Sequence, residues 1–196
     1  MPEFIREAVA ATADADGGVH LTPLGYRQHG DRIVLAPFHP SRTLDNLRAR
    51  GEAVLNFTDD VQVIAGCLTG RRDWPVVPSR VVGVPRLADC LAHWELEVVA
   101  VHDDDVRPVF ECRVVADANH RPFTGFNRAQ AAVIEAAVLV SRLDWLPPAE
   151  VVDAFVGLRV AVDKTAGPRE ARAWEWLCAA LTAHPRHQDE ARRLVR

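Results

Sequence analysis

Over the first two thirds of the chain the apolar residues come in short runs closed by turn-forming residues, and after Asn127 they change to helical spacing. Phe4 to Ala11 predicts a strand, Asp14 to Gly18 a turn, Val19 to Arg27 a second strand, His29 to Asp31 another turn and Arg32 to Phe38 a third strand. Ala53 to Phe57 predicts a fourth strand and Asp60 to Leu68 a short helix, while Arg71 to Pro85, with Pro75, Pro78 and Trp74, predicts a loop. Trp94 to Val101 and Val109 to Val115 then predict a hairpin across Asp103 to Asp105. Short strands in this order, broken by one helix, predict a small barrel.

The C-terminal third predicts helices. Arg128 to Leu143 holds almost only Ala, Val, Ile and Leu, interrupted by Gln130, Glu135 and Ser141, so it is expected to be covered on more than one side, in a core or at an interface. Pro147-Pro148 ends it and opens a helix from Ala149 to Val162; Pro168 opens another to Leu181, with Trp174, Leu177, Cys178 and Leu181 at helical spacing. The expected class is α+β, mainly β with an α annex. The expected division is a barrel over 1–120, a helical part over 121–184 and a tail over 185–196.

Composition narrows the function classes. With 196 residues and 48% hydrophobic content the chain can bury a core, and a net charge of −4 without a long basic run argues against nucleic-acid binding. Cys67, Cys90, Cys112 and Cys178 form no C-x-x-C pair, which argues against zinc and for reduced thiols. No apolar run approaches membrane length and no signal segment opens the chain, so a cytoplasmic location is expected.

The segment richest in chemistry runs from Ala36 to Asn56. Ser41 stands where it can cap a short helix and leave first-turn amides free for an anion; the helix dipole, the fork of Arg42 and the hydroxyl of Thr43 favour a phosphate there. Leu44 and Leu47 give this helix an apolar side, and Gly51 sits where a left-handed residue ends it. An ordinary capped helix with Arg42 in solvent explains the same residues.

The order of these pieces resembles the FMN-binding split barrel. The pieces are the Asp16-Gly17 turn, the strand Leu21 to Tyr26, Ile33 to Phe38, Ser41 to Leu47, Gly51 to Asn56 and Thr58 to Asp60. Pro85 to Asp89 leading to Trp94 to Glu97, and Arg121 to Arg128 leading to Val133 to Ala137, resemble the branch of that superfamily catalogued as domain of unknown function 447, which is flavin reductase-like. The resemblance implies a split β-barrel followed by a bundle of about three helices. It further implies a homodimer that holds FMN without a covalent bond near the subunit interface. Ser41, Arg42 and Thr43 become phosphate ligands, with Asn46 beside them. Thr22, Pro23, Gly25 and Tyr26 would run along the isoalloxazine, Tyr26 either stacking on it or serving the core, and Asn56 and Thr58 would meet the ribityl chain or pyrimidine end.

The activity so implied is that of an FMN-dependent oxidoreductase, fed by a reduced nicotinamide or another donor and acting on a small acceptor. The branch is frequent in organisms that use tetrahydromethanopterin, which suggests a pterin-type substrate. The alternative is a protein that holds FMN without turnover, as carrier, sensor or assembly partner. Other candidates are weaker. Glu135 reads as a paired structural carboxylate whose burial would raise its pKa. Asn127 reads as a helix cap, His39 as a neighbour of the cradle, and the histidines offer no H-x-x-x-H metal pair. No catalytic acid or base stands out.

Overall fold

The computed structural model describes residues 4–192, and the contacts divide the chain into two compact units. The first holds the chain to Thr58 together with Arg72–Phe123; the second holds Asp59–Arg71 together with the chain from Thr124 onward.

The first unit is a closed barrel of six strands in the order β1-β2-β3-β8-β7-β4, every neighbouring pair antiparallel. These strands are β1 (Arg6–Ala13), β2 (Val19–His29), β3 (Arg32–Leu35), β4 (Glu52–Phe57), β7 (Ala92–His102) and β8 (Val109–Asn119). β5 (Val76–Val77), inside the segment that the sequence reads as loop, and β6 (Arg86–Leu87), just past its end, form a separate two-stranded ribbon. The predicted third strand is shorter than expected: it ends at Leu35, and Phe38 is 43% exposed.

The interior follows the strand period of two. Ala8 and Ala10 of β1 pack with Tyr26, Ile33, Leu35, Leu55, Leu96 and Phe110, while the alternate residues Val9 and Ala11 are also fully buried. A strand covered on both faces loses the polar alternation, and for that reason β1 reads as one apolar run. One end of the barrel is plugged by helix α1 (Arg42–Arg50), whose Leu44 and Leu47 join the same core at 0% and 1% exposure. Burial of each such side chain contributes roughly 1.5–3 kcal/mol. Gly51 closes α1 at φ 66°, ψ 18°, donating its N–H to Leu47 O at 2.9 Å, as its position in the sequence predicts.

The second unit is helical: α2 (Val61–Leu68), α3 (Arg128–Val140), α4 (Pro148–Thr165), α5 (Pro168–Ala183) and α6 (Gln188–Ala191). α2 lies between barrel strands in sequence but packs on α3 and α5. Asn127 caps α3, accepting from the N–H groups of Ala129 and Gln130. α3 buries one stripe, Ala129, Ala132, Val133, Ala136 and Ala137, and leaves Glu135 exposed. The expected buried, paired Glu135 is therefore corrected: its position falls on the solvent side of the 3.6-residue period. Past 184, read as a tail, the chain forms α6 with His187 and Ala191 buried; residues 193–196 lie outside the described residues.

Candidate functional site

The sequence of α1 dictates how its N-terminal end is built. Ser41 is extended at φ −159°, and its Oγ accepts the N–H of Leu44 at 3.2 Å. The N–H groups of Arg42 and Thr43 precede the first residues that can bond back along the helix, so they have no intrahelical acceptor. Arg42 turns toward the first hairpin, where Nη2 donates to Asp14 Oδ2 at 3.0 Å and to Gly18 O at 3.3 Å. The N–H of Gly18, and then Arg42, hold the Asp14 carboxyl below its ordinary value. Asn46, 3% exposed, donates to Thr12 Oγ1 at 3.0 Å and so fastens α1 to β1.

Beside this helix end runs an open strand edge. β2 pairs with β1 from Val19 to Tyr26 but with β3 only from Tyr26 to His29, so among the described residues Val19–Gly25 meet a strand on one side alone. Pro23, which has no N–H to give, sits in this stretch, where only one partner makes demands. A hollow of 70 Å³ opens at the start of β2, lined by Val19, His20, Leu21, Arg72, Trp74 and Val76. Burial pushes the His20 imidazole below its ordinary value, and the positive charges of Arg42 and Arg72 push it the same way. The first turn of α1, Arg42, His20 and Arg72 thus make one locality rich in donors and positive charge.

The predicted site residues do not all gather there. Ser41 and Arg42 do, and Thr22 and Pro23 lie farther along the same strand, half-buried. Thr43, next to Arg42, is buried, at 3% exposure. Tyr26 is in the barrel core, 3% exposed, with its ring 5.9 Å from those of both Phe57 and Trp94, so of its two readings the structure gives the core one. At Gly25 an added Cβ would stand 2.9 Å from Ile5 Cγ2 and 3.3 Å from Glu7 Oε1, so any larger residue there would make these two side chains shift. Asn56 has a different task from the one expected: fully buried, it donates to Val9 O at 3.0 Å and accepts the N–H of Leu87 at 2.8 Å, tying the β6 segment to the barrel. Thr58 follows β4, half-buried, just before the cap of α2.

His39 lies elsewhere, exposed in a broad hollow shared with Arg48 and Asp103 to Asp105. Three consecutive carboxylates, one paired with Arg48 at 2.8 Å, make that hollow hostile to a phosphate. Sequence reading missed His20 and Arg72. Only the alternation around Leu21 hinted at His20, while Arg72 and Trp74 come from a loop whose path no periodicity encodes. It also passed over Glu95, a fully buried carboxylate that accepts the N–H groups of Arg80, Val81 and Val82 at 2.7–3.0 Å. Burial alone would raise its pKa, but those donors, with His93, bring it below the ordinary value.

Comparison with known proteins bears on this arrangement. Residues 6–121 match the model for the N-terminal domain of a protein family of unknown function, DUF447, and residues 127–179 match the model for the remainder of that family. Among solved structures, an FMN-bound protein of the DUF447 family from Methanosarcina mazei is similar with a TM-score of 0.80 at 19% identity, over 92% of this chain and 96% of that one. The 2-nitrobenzoate 2-nitroreductase of Pseudomonas fluorescens gives a TM-score of 0.52 at 20% identity, over 61% of this chain and 66% of that one. A nitrilotriacetate monooxygenase component B homologue from Mycobacterium thermoresistibile gives 0.52 at 20%, over 62% and 73%. At these identities the likeness is one of fold. No curated protein matches significantly.

Proposed function

The chain belongs to the DUF447 family, and we propose that it binds FMN and acts as an FMN-dependent oxidoreductase of the flavin reductase type on a small acceptor. The observation that carries this reading is the meeting of the Ser41-capped helix end with Arg42, His20 and Arg72 beside the open edge of β2. Two guanidinium groups, unused first-turn amides and a strand edge offer a phosphate its donors and a planar ring a backbone to lie along. The donor set fits the phosphate of FMN. A hollow of 70 Å³ is well below the roughly 300–1,000 Å³ of a ligand pocket, so most of the cofactor would lie outside it. A second copy of the chain would then supply the other wall, in keeping with a homodimer.

In this reading Ser41, Arg42 and Thr43 hold the phosphate, Arg72 adds charge, and Trp74 and Val76 shield the ring from water. FMN, when bound, supplies hydride chemistry of its own, so the protein needs chiefly to orient the ring and keep the pocket dry. The small acceptor we propose is a pterin-type molecule.

Titration of the purified protein with FMN and with riboflavin tests the cofactor. FMN is expected to bind much the tighter, because riboflavin lacks the phosphate; equal binding would overturn the phosphate site, and absence of both would overturn the cofactor. Anaerobic mixing with a reduced nicotinamide then tests the activity. Bleaching faster than that of free FMN supports an oxidoreductase, and unchanged bleaching with every donor tried leaves a protein that only holds FMN.

A further inference from the structure

Away from the cradle, three side chains line up as carboxylate, imidazole and imidazole. Glu95 and His93 project from β7, two residues apart and so on one face of the strand, and His120 follows the end of β8. The register between β7 and β8 shifts just past Glu95, a local irregularity of the kind that re-aims side chains. Glu95 Oε1 lies 3.3 Å from His93 Nε2, and His93 Nδ1 lies 2.9 Å from His120 Nε2. The two imidazole planes agree within 4° with centroids 5.0 Å apart. Stacked rings cannot bring two nitrogens as close as 2.9 Å, so the rings meet edge to edge through a hydrogen bond.

The protons follow from the carboxylate. Glu95, already accepting three backbone N–H groups, is ionised and can only accept, so His93 must carry its proton on Nε2. The relay takes His93 as neutral: its Nδ1 then offers a lone pair, and His120 carries its proton on Nε2 to meet it. This leaves the Nδ1 lone pair of His120 outward, on an exposed residue. A proton gained there is stabilised along the line, because the imidazolium donates to His93 and His93 donates to an anion. The titratable and charged groups around His120 are Arg86 from β6, His93 from β7, and the Arg121–Asp89 pair at 2.9 Å.

We propose that His120, oriented through His93 by Glu95, is the acid–base residue of this protein. An O–H or N–H bond of a small substrate breaks, the proton goes to His120 Nδ1, and the conjugate base keeps the electron pair beside the Arg86 guanidinium. Burial, and then the Arg86 guanidinium, keep the resting imidazole neutral and able to accept. His93 and Glu95 are positioning residues in this scheme. It deepens the oxidoreductase reading, where taking hydride from the carbon of a donor that bears an O–H or N–H group also releases the proton of that group, but its first test does not depend on that reading.

In that test, nitrogen shifts of the full chain with ¹⁵N-labelled histidine report which ring nitrogen is protonated. His93 and His120 are both expected as the Nε2–H form, with His120 turning to a mixture of forms in His93→Gln. A Nδ1–H form of His120 in the unaltered protein, or the same form of His120 with and without His93, overturns the relay. With FMN bound and a donor found, His120→Gln is expected to lower kcat about a hundredfold and to remove the acid limb of its pH profile, with FMN affinity unchanged. Unaltered kcat at every pH overturns the acid–base role, whereas failure to bind FMN overturns only the cofactor reading.

Discussion

Arg42 and Asp14 meet at 3.0 Å, so the first residue of α1 is held over the turn that closes the first hairpin. Their side chains are 41% and 38% exposed, and a pair so wetted adds little to stability. Its effect is positional: it keeps a guanidinium at the mouth of the cradle, with Gly18 O as a second anchor.

Arg42→Ala is accordingly expected to leave the unfolding midpoint almost unchanged and to weaken FMN by about 2 kcal/mol, the loss of a charge-assisted contact. Fluorescence titration against FMN and riboflavin measures it. Riboflavin affinity should not move, since the lost partner is the phosphate.

Arg72 and His20 give the second expectation. Burial, and then the positive charges of Arg42 and Arg72, hold the folded pKa of His20 below the ordinary 6.5, and its protonation adds a positive charge beside the two guanidinium groups. A bound phosphate relieves that repulsion, so FMN should bind tighter as the pH falls through the range just below 6.5. His20→Asn should flatten this dependence relative to the unaltered chain, with the phosphate's own titration common to both.

Asn56 is expected to matter for stability rather than for ligand contact. Asn56→Ala strips a buried donor and acceptor and leaves Leu87 N–H and Val9 O unpaired, a loss of roughly 2–4 kcal/mol. Urea unfolding measures the loss, and amide exchange at Leu87 should quicken before that of the barrel strands.

Glu95 sets an acid limit. Its folded pKa is depressed, so its contribution is fully present above the ordinary value of 4.5 and disappears as the pH falls below it toward the folded value. Comparing unfolding free energies of the unaltered chain and Glu95→Gln across pH should show a gap at neutral pH that closes in acid. A constant gap would mean that Glu95 acts through packing alone.

The parts of this molecule that one residue encodes were legible in its sequence. Ser41 and Gly51 mark the ends of α1 because a cap hydroxyl and a left-handed backbone are local requirements, and the six strands show themselves by their turns. Tyr26 and Asn56 were harder. A strand gives each residue one of two faces, and only the closed barrel reveals that Tyr26 faces the core and that Asn56 meets Leu87. Glu135 was misjudged because an alanine-rich helix is apolar in composition even on the side that faces water. The meeting of His20, Arg42 and Arg72, and of Glu95, His93 and His120, joins segments distant in the chain, so no spacing rule records either.

The one-sided pairing of β2 has a further consequence. An unpartnered strand edge is a template on which another chain can extend a sheet, and proteins that keep one open must defend it. Pro23 does so in the middle of the open run, because its missing N–H leaves a gap in any ladder an added strand would build. The edge can remain accessible to a small molecule and still resist the strand-to-strand growth that leads to aggregation.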